Sequence, residues 1–315
     1  MSLRPVQNDK AIGQARYPEQ WLSEFDNYED LPSQLEQTML KLVGANIDIA
    51  RQATASGAAL AAAYHLGSGG QRVRGRMALS AGLALGLDKS DALCIAATAE
   101  LLHNASLVHD DLQDRDAVRH GLPAVWVKYG VNMAVCTGDL MLTAAYAGLC
   151  DISKLQKLPR MLAVVHERVS DAIGGQCADL DNAVSSVDDL AAYKRVAVAK
   201  SGALLSLPLE LALLSSGHGV WVEHARNACH AFSVGYQVVD DFADVERDGQ
   251  SGALNVVLVL QSAGYGTEAR TRAKQFGLEH LDGAISLAHE LPRESGALLV
   301  ELSLKLRLLL LVDND

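Results

Sequence analysis

Aromatic residues make up only 5% of this sequence, and there are seven prolines in 315 residues. So few prolines leave room for long uninterrupted helices, because a proline inside a helix removes a backbone donor and clashes with the preceding turn. The 49% hydrophobic content is accordingly aliphatic and Ala-rich. That mix favours helix, since Ala, Leu, Glu, Gln and Lys lose little side-chain freedom there. Period-two strand patterns are scarce, and neither an internal repeat nor a low-complexity linker is found. Clustered Lys and Arg are missing too. A formal charge of −11 and a pI of about 5.3 argue against nucleic acid, whose phosphates need such clusters. An anionic substrate would need local cations or bound metal to overcome that field.

No CxxC or Cys/His ligand spacing occurs, which argues against structural zinc. The five cysteines (Cys94, Cys136, Cys150, Cys177, Cys229) lie mostly in apolar helical contexts and read as small buried hydrophobes of a reducing compartment. The first 30 residues carry charges and lack the apolar core of a signal peptide. Residues 302–312 are apolar but interrupted by Lys305 and Arg307, and fall short of the ~20 residues that span a bilayer. They read as a closing helix on the core. The expectation is a cytoplasmic protein, not an integral membrane one, with a polar lead-in over 1–30 and a single helical domain over 31–315.

The helical signals follow in order. Ser33 and Glu36 form a capping-box pattern after Pro32, predicting a helix to about Gln52. An Ala-rich helix ends in the glycines of 67–70. Residues 90–112 contain no Gly or Pro and are apolar all round, the mark of a central buried helix. Further helices are predicted near 132–150, 160–173, 187–215 and 218–245. The fold class is all-α, a compact helical bundle.

The central helix ends in Asp110-Asp111-Leu-Gln-Asp114, and a second cluster reads Asp240-Asp241-Phe-Ala-Asp244. On a helix, i and i+4 share a face, which pairs Asp110 with Asp114 and Asp240 with Asp244. Carboxylates this close repel unless a cation lies between them, and oxygen-only ligands suit magnesium. One such pattern arises by chance in roughly one chain in eight of this length, but two in about one in a hundred. Both also follow apolar turns, an odd place for a merely solvated face.

These segments carry a resemblance. Glu100-Leu-Leu-His103-Asn-Ala-Ser-Leu-Val-His109-Asp-Asp-Leu-Gln-Asp resembles the first aspartate-rich motif of the trans-prenyl diphosphate synthases (the polyprenyl synthetase family), and Gly235-Tyr-Gln237-Val-Val-Asp-Asp-Phe-Ala-Asp resembles their second. Gly138-Asp139, Gly175-Gln176 with Asp179-Leu180, and Lys200-Ser-Gly202 lie between them in the family's order, and Gly69-Gly70-Gln71-Arg72-Val-Arg74 resembles the upstream GGKRxRP segment. The resemblance runs from about residue 60 to 250. It implies a single-domain isoprenoid-synthase-type bundle around a deep central cavity, commonly a homodimer. It also implies a prenyltransferase that joins an allylic prenyl diphosphate to isopentenyl diphosphate, head to tail and trans, by ionisation, condensation and elimination.

The site residues it implies are these. Asp110, Asp111, Asp114, Asp240, Asp241 and Asp244 hold Mg2+, three ions with substrate bound. Arg119, Lys200 and Gln237 hold the allylic diphosphate, and Gln71, Arg74, His103 and His120 the diphosphate of the second substrate. His109 reads as a hydrogen-bonding neighbour of the metal site, Arg72 as either structural or phosphate-binding, and Trp126, Lys128 and Tyr129 as packing residues. In the family, the fifth residue before the first aspartate often limits product length when aromatic; here it is Ala105, followed by Ser106. Ala96, Ala99, His103 and Ser106 fall within about 40° of the Asp110 direction at 100° per residue, which fits either an open slot or close helix packing.

Three departures from the family pattern follow. Gln71 replaces a Lys, with Gly75 in place of the next Pro; Arg119-His120-Gly121 replaces Arg-Arg-Gly; and Gly252-Ala-Leu-Asn255-Val-Val replaces a Gly-Lys segment with Thr and Pro. Loss of charged phosphate contacts, on the order of 1.5–3 kcal/mol each, depletes the second subsite while the aspartates stay complete. The alternative is therefore a terpene synthase-like lyase, or an unusual coupling enzyme, acting on a preformed prenyl diphosphate. A non-catalytic partner subunit would be expected to have lost its aspartates.

Overall fold

The computed structural model describes residues 30–45, 56–180 and 189–312. The described residues are all-α apart from one small hairpin, and their helices enclose two aliphatic cores, one around α1, α2, α4 and α6 and one around α10, α12 and α13. Helix α1 (Leu31–Leu42) begins at Leu31, with Pro32 in its first turn and Asp30 before it. This corrects the Ser33–Glu36 capping box: proline's fixed φ starts the helix earlier. Ser33 instead accepts a 3.4 Å hydrogen bond from Gln37, and Glu36 reaches across the fold to Arg72. The helix ends at Leu42, short of the expected Gln52, and the rest of that stretch, with the lead-in over 1–29, lies outside the described residues.

Helices α2 (Gly57–Gly67) and α3 (Val73–Ala84) flank the glycine turn and lead into α4 (Lys89–Gln113), the expected central helix. Ile95, Ala96, Ala97, Leu101, Leu102 and Val108 are all buried around the circumference of α4. A hairpin of β1 (Val118–Arg119) and β2 (Leu122–Pro123), which sequence patterning did not reveal, follows. Its two-residue turn, His120-Gly121, has positive φ at both positions (52° and 77°), the geometry that matches the right-handed twist of paired strands. His is among the residues that tolerate the left-handed region better than most, and Gly121 adopts it freely.

A short α5 (Val125–Tyr129) and then α6 (Val131–Gly148) follow, and α6 lies along α4. With its extension to Asp151, α6 is long and apolar enough to cross a membrane by length and composition, and less than half of that stretch is buried. Trp126 Nε1 donates to the Asp116 carbonyl at 2.6 Å, and Lys128 Nζ lies 3.5 Å from the Tyr64 ring centroid, so these residues fasten the loop as expected.

Helix α7 (Leu158–Leu180), helix α8 (Leu190–Ala197), a π-helical turn (Val198–Gly202), α9 (Ala203–Ser216) and α10 (Val222–Ser251) build the second half of the bundle. Buried Glu210 on α9 ties three of them together: it accepts from Arg226 on α10 at 2.8 Å and from Ser206 at 2.7 Å, and Arg168 on α7 lies at 3.7 Å. Such a buried carboxylate survives only because cations and a hydroxyl surround it. Helices α11 (Val256–Leu260), α12 (Ala269–His289) and α13 (Ala297–Val312) close the bundle. Helix α13 is the expected closing helix, burying Leu298, Leu299, Leu302, Leu306 and Leu310, each worth roughly 1.5–3 kcal/mol when fully buried.

The cysteine reading needs correction. Cys229 is buried, but Cys136 on α6, Cys177 on α7 and Cys150 in the 3-10 turn after α6 are exposed, because they sit on outer faces. All five are free thiols.

Candidate active site

The first aspartate cluster forms the C-terminal end of α4. Asp110 is half-buried, and Asp114, which caps the helix, is exposed and donates its backbone N–H to the Asp110 carbonyl at 2.8 Å. Asp111 lies about 100° further round the helix, on its inner side. It is 1% exposed, and its Oδ1 accepts from Arg119 Nε at 2.8 Å and from Arg119 Nη2. Burial raises the Asp111 carboxyl above the usual range, and the guanidinium opposes that rise. The hairpin therefore delivers Arg119 to the back of the cluster. Asp111 and Arg119, expected to meet metal and diphosphate, hold one another through Oδ1, while Asp111 Oδ2 is buried without a hydrogen-bond partner.

The second cluster repeats the arrangement on α10. Asp241 is 2% exposed and fully engaged: Tyr193 Oη and the Val256 N–H donate to Oδ2 at 2.8 and 2.7 Å, and Gln237 Nε2 donates to Oδ1 at 2.8 Å. Asp241 is thus an internal anchor and not an open metal ligand, and Gln237, expected at the allylic diphosphate, spends its amide nitrogen on it. Asp240 and Asp244 face outward from this anchor. Burial, then the charges of Asp241 and Asp244, push the Asp240 carboxyl up to about 7, and its Oδ1 is buried without a hydrogen-bond partner. Asp244 is bound at 2.6 Å by Arg247.

The segment that departs from the family pattern after this cluster has its own task. Asn255, 1% exposed, caps α11 through the Val257 N–H and donates to the Asp241 carbonyl at 2.7 Å and to Asp248 Oδ2 at 3.0 Å. Neither Asn255 nor Tyr193 stands out in the sequence, because each acts only through tertiary contact.

Other motifs converge on the same end of the bundle. Gln176 on α7 donates to Gln113 on α4 at 3.1 Å. A Cβ at Gly175 would meet the Ala199 carbonyl at 2.8 Å, so glycine there lets α7 touch the π-helical turn that carries Lys200. The Lys200 side chain lies outside the described part of the structure. His109 packs its ring against Gly138, with Nε2 3.5 Å from the Val135 carbonyl and 3.7 Å from Asp139. Ser106 is half-buried and hydrogen-bonds the His103 carbonyl at 2.8 Å, whereas Ala105, Ala96 and Ala99 are packed in the core. Of the two residues expected to govern product length, Ser106 lies on the more open side.

A basic cluster forms around the turn before α3. Arg72 at the N-cap holds a left-handed conformation (φ 49°), pinned by Glu36 at 2.6 Å and by the Leu66 carbonyl at 2.6 Å. It is therefore a structural residue at the edge of the cluster. His120 comes beside Gly70 and Arg72, and His103 lies within electrostatic reach of Arg74, Arg119, Arg72 and a residue sequence reasoning passed over, His65. Burial first, and then these cations, hold His103 well below the usual imidazole value, His120 below it, and His65 at about 3. Gly75 replaces a family proline for a visible reason: its N–H donates to the buried Glu100 carboxylate at 2.8 Å, which a proline could not do.

Among the described residues no three His, Cys, Asp or Glu side chains gather at one ion-sized point. Each outward pair, Asp110/Asp114 and Asp240/Asp244, would thus give magnesium two carboxylates and leave its other positions to water and substrate phosphate, the arrangement that ion prefers. Asp240 Oδ1 and Asp111 Oδ2, both buried without a hydrogen-bond partner, are carboxylate oxygens that a cation would satisfy.

Comparison with known proteins bears on the family and the fold. The chain is 30% identical over 196 residues to a short chain isoprenyl diphosphate synthase of Methanothermobacter thermautotrophicus, covering 61% of this chain and 60% of that protein. It is 30% identical over 244 residues to the chloroplastic geranylgeranyl pyrophosphate synthase of Capsicum annuum, covering 74% of this chain and 63% of that protein. The matched stretch thus spans somewhat under two thirds of these relatives' length. The fold matches the geranylgeranyl pyrophosphate synthetase structure from the archaeon Geoglobus acetivorans with a TM-score of 0.75 at 22% identity, over 89% of this chain and 98% of that one. The family profile described as polyprenyl synthetase matches residues 58–253, and the chain belongs to that family.

Proposed function

We propose that this protein is a magnesium-dependent prenyltransferase that condenses an allylic prenyl diphosphate with isopentenyl diphosphate, head to tail and trans. The observation that carries this reading is the pair of i,i+4 carboxylate pairs, each backed by an inward aspartate that the protein holds in place, Asp111 through Arg119 and Asp241 through Tyr193, Gln237 and the Val256 N–H. Asp110, Asp114, Asp240 and Asp244 would hold the magnesium ions that serve the allylic diphosphate. Bound magnesium supplies Lewis-acid stabilisation of charge on the departing diphosphate. Lys200 is the further cation that the resemblance implies for the same diphosphate. The basic cluster of Gln71, Arg74, His103 and His120 orients the second diphosphate, so that its double bond meets the allylic carbon. Packed aliphatic walls exclude water that would otherwise quench the cation. The outer face of α6, with Val131 and Val135 exposed, supports a homodimer as the working assembly.

A second reading, a lyase or coupling enzyme using one preformed prenyl diphosphate, is favoured by one observation: His120 and His103, in the second subsite, are held neutral by burial and neighbouring cations. Incubation with magnesium and farnesyl diphosphate, with and without isopentenyl diphosphate, followed by mass analysis, separates the two. Longer diphosphates formed only with isopentenyl diphosphate support elongation. A hydrocarbon or alcohol from farnesyl diphosphate alone overturns it in favour of the second reading.

A further inference from the structure

His65 sits on α2, 3% exposed, with its Nε2 buried and without a hydrogen-bond partner. A chain of hydrogen bonds accounts for its other ring nitrogen. The Gly75 N–H donates to Glu100 Oε1 at 2.8 Å, and Asn104 Nδ2 donates to the Glu100 carbonyl at 2.8 Å and faces Glu100 Oε2 at 3.4 Å. With its nitrogen so used, Asn104 offers its oxygen to His65, and the hydrogen bond between the two is of the sort that favours a charged ring. Nδ1–H therefore donates to Asn104, and the neutral ring carries its lone pair on Nε2.

Within electrostatic reach of that ring are Arg72 at the start of α3, Arg119 and His120 on the hairpin, and His103 on α4, while α6, which packs most closely on α2, adds none of these charges. Glu36 of α1 is engaged with Arg72, and Lys128 of α5 lies over the Tyr64 ring next door. A buried acceptor without a donor costs free energy that a leucine at this position would not.

We infer that His65 is a further positioning residue of the second diphosphate subsite: held by Asn104 through Nδ1, it takes a proton from solvent as a diphosphate enters, so that Nε2 becomes a donor to phosphate oxygen. The inference rests on the reading that Arg74, His103 and His120 receive a second diphosphate. Incoming negative charge cancels the surrounding cations that keep the ring neutral, and a charge-assisted hydrogen bond replaces an orphaned lone pair. Because the free protein holds the ring neutral and the complex holds it charged, binding tightens as pH falls through the value in the complex.

The test is calorimetric titration of the full chain with isopentenyl diphosphate in buffers of low and high ionisation enthalpy, which counts protons taken up on binding. His103 and His120 contribute as well, so the share of His65 is read by difference. His65→Gln can keep the Asn104 contact and donate to phosphate but cannot take a proton. It should take up fewer protons than wild type and bind about tenfold more weakly near pH 6.5, the gap closing toward pH 8.5. His65→Asn serves the same purpose should His65→Gln melt early. Unchanged proton uptake and affinity in the His65 variants, with binding weakened in Arg74→Gln, overturn the role of His65 and leave the subsite standing. Unchanged binding in Arg74→Gln, or no binding of isopentenyl diphosphate by wild type, overturns the subsite and this inference with it.

Discussion

Replacing Asp240 by Asn separates the stability of the second aspartate cluster from its chemistry. Burial and the charges of Asp241 and Asp244 raise the Asp240 carboxyl to about 7 from its ordinary 3.8. A displacement of about three pH units, at ~1.4 kcal/mol each, sets a ceiling of roughly 4 kcal/mol on what the ionised side chain costs the metal-free fold. The sign follows from the direction. A group whose value is raised on folding favours the fold fully below its unfolded value, and that benefit is lost as pH rises through about 7. Asn cannot ionise. The advantage of Asp240→Asn should be near zero below pH 4, grow to about 1–2 kcal/mol at pH 5, and level off at about 2–4 kcal/mol above pH 7. At ~2–4 °C per kcal/mol, the melting temperature at pH 8 with a chelator present should rise by about 5–10 °C. Turnover should meanwhile fall by orders of magnitude. Thermal melts at pH 5 and pH 8 check both magnitude and sign, and a variant that melts at or below wild type at pH 8 would refute the reasoning.

Other substitutions probe the braces behind the clusters. Arg119→Ala strands the buried Asp111 carboxylate and should cost about 3–5 kcal/mol in urea denaturation, with Asp111→Asn recovering much of it in the double variant. Tyr193→Phe removes the hydroxyl bound to buried Asp241 and should cost about 1–3 kcal/mol by the same assay; no loss would mean that Asp241 is held by Gln237 and Val256 alone. Gly138→Ala drives a methyl group into the His109 ring and should cost about 1–3 kcal/mol, a penalty that His109→Ala should relieve in a double-mutant cycle.

The outward aspartates were legible because helical spacing is a local property: i and i+4 share a face whatever packs around them. The inward turn of Asp111 and Asp241 follows from the same spacing but is invisible until the partner is known, and the partners come from a hairpin and from a helix 48 residues away in the case of Tyr193. The central helix was readable from its lack of a polar face. The start of α1 was not, because Pro32 and a capping box compete over the same turn and Glu36 had a distant claim on it. His65 escaped notice for a related reason. A histidine in an Ala-rich helix carries no signal until Asn104 and the arginines arrive from other elements.

The π-helical turn at Val198–Gly202 makes chain length itself a structural variable. It holds one residue more than a continuous α-helix would need, so α8 and α9 are offset by about 100° relative to an unbroken helix. Removing any one residue there would let the two run together as ordinary helix. Tyr193 would then swing off Asp241 while Glu210 kept its grip on Arg226, and the two walls of the bundle would fall out of step. Substitutions within the turn should be absorbed, but a one-residue deletion should not. The segment works as a spacer whose count matters more than its composition.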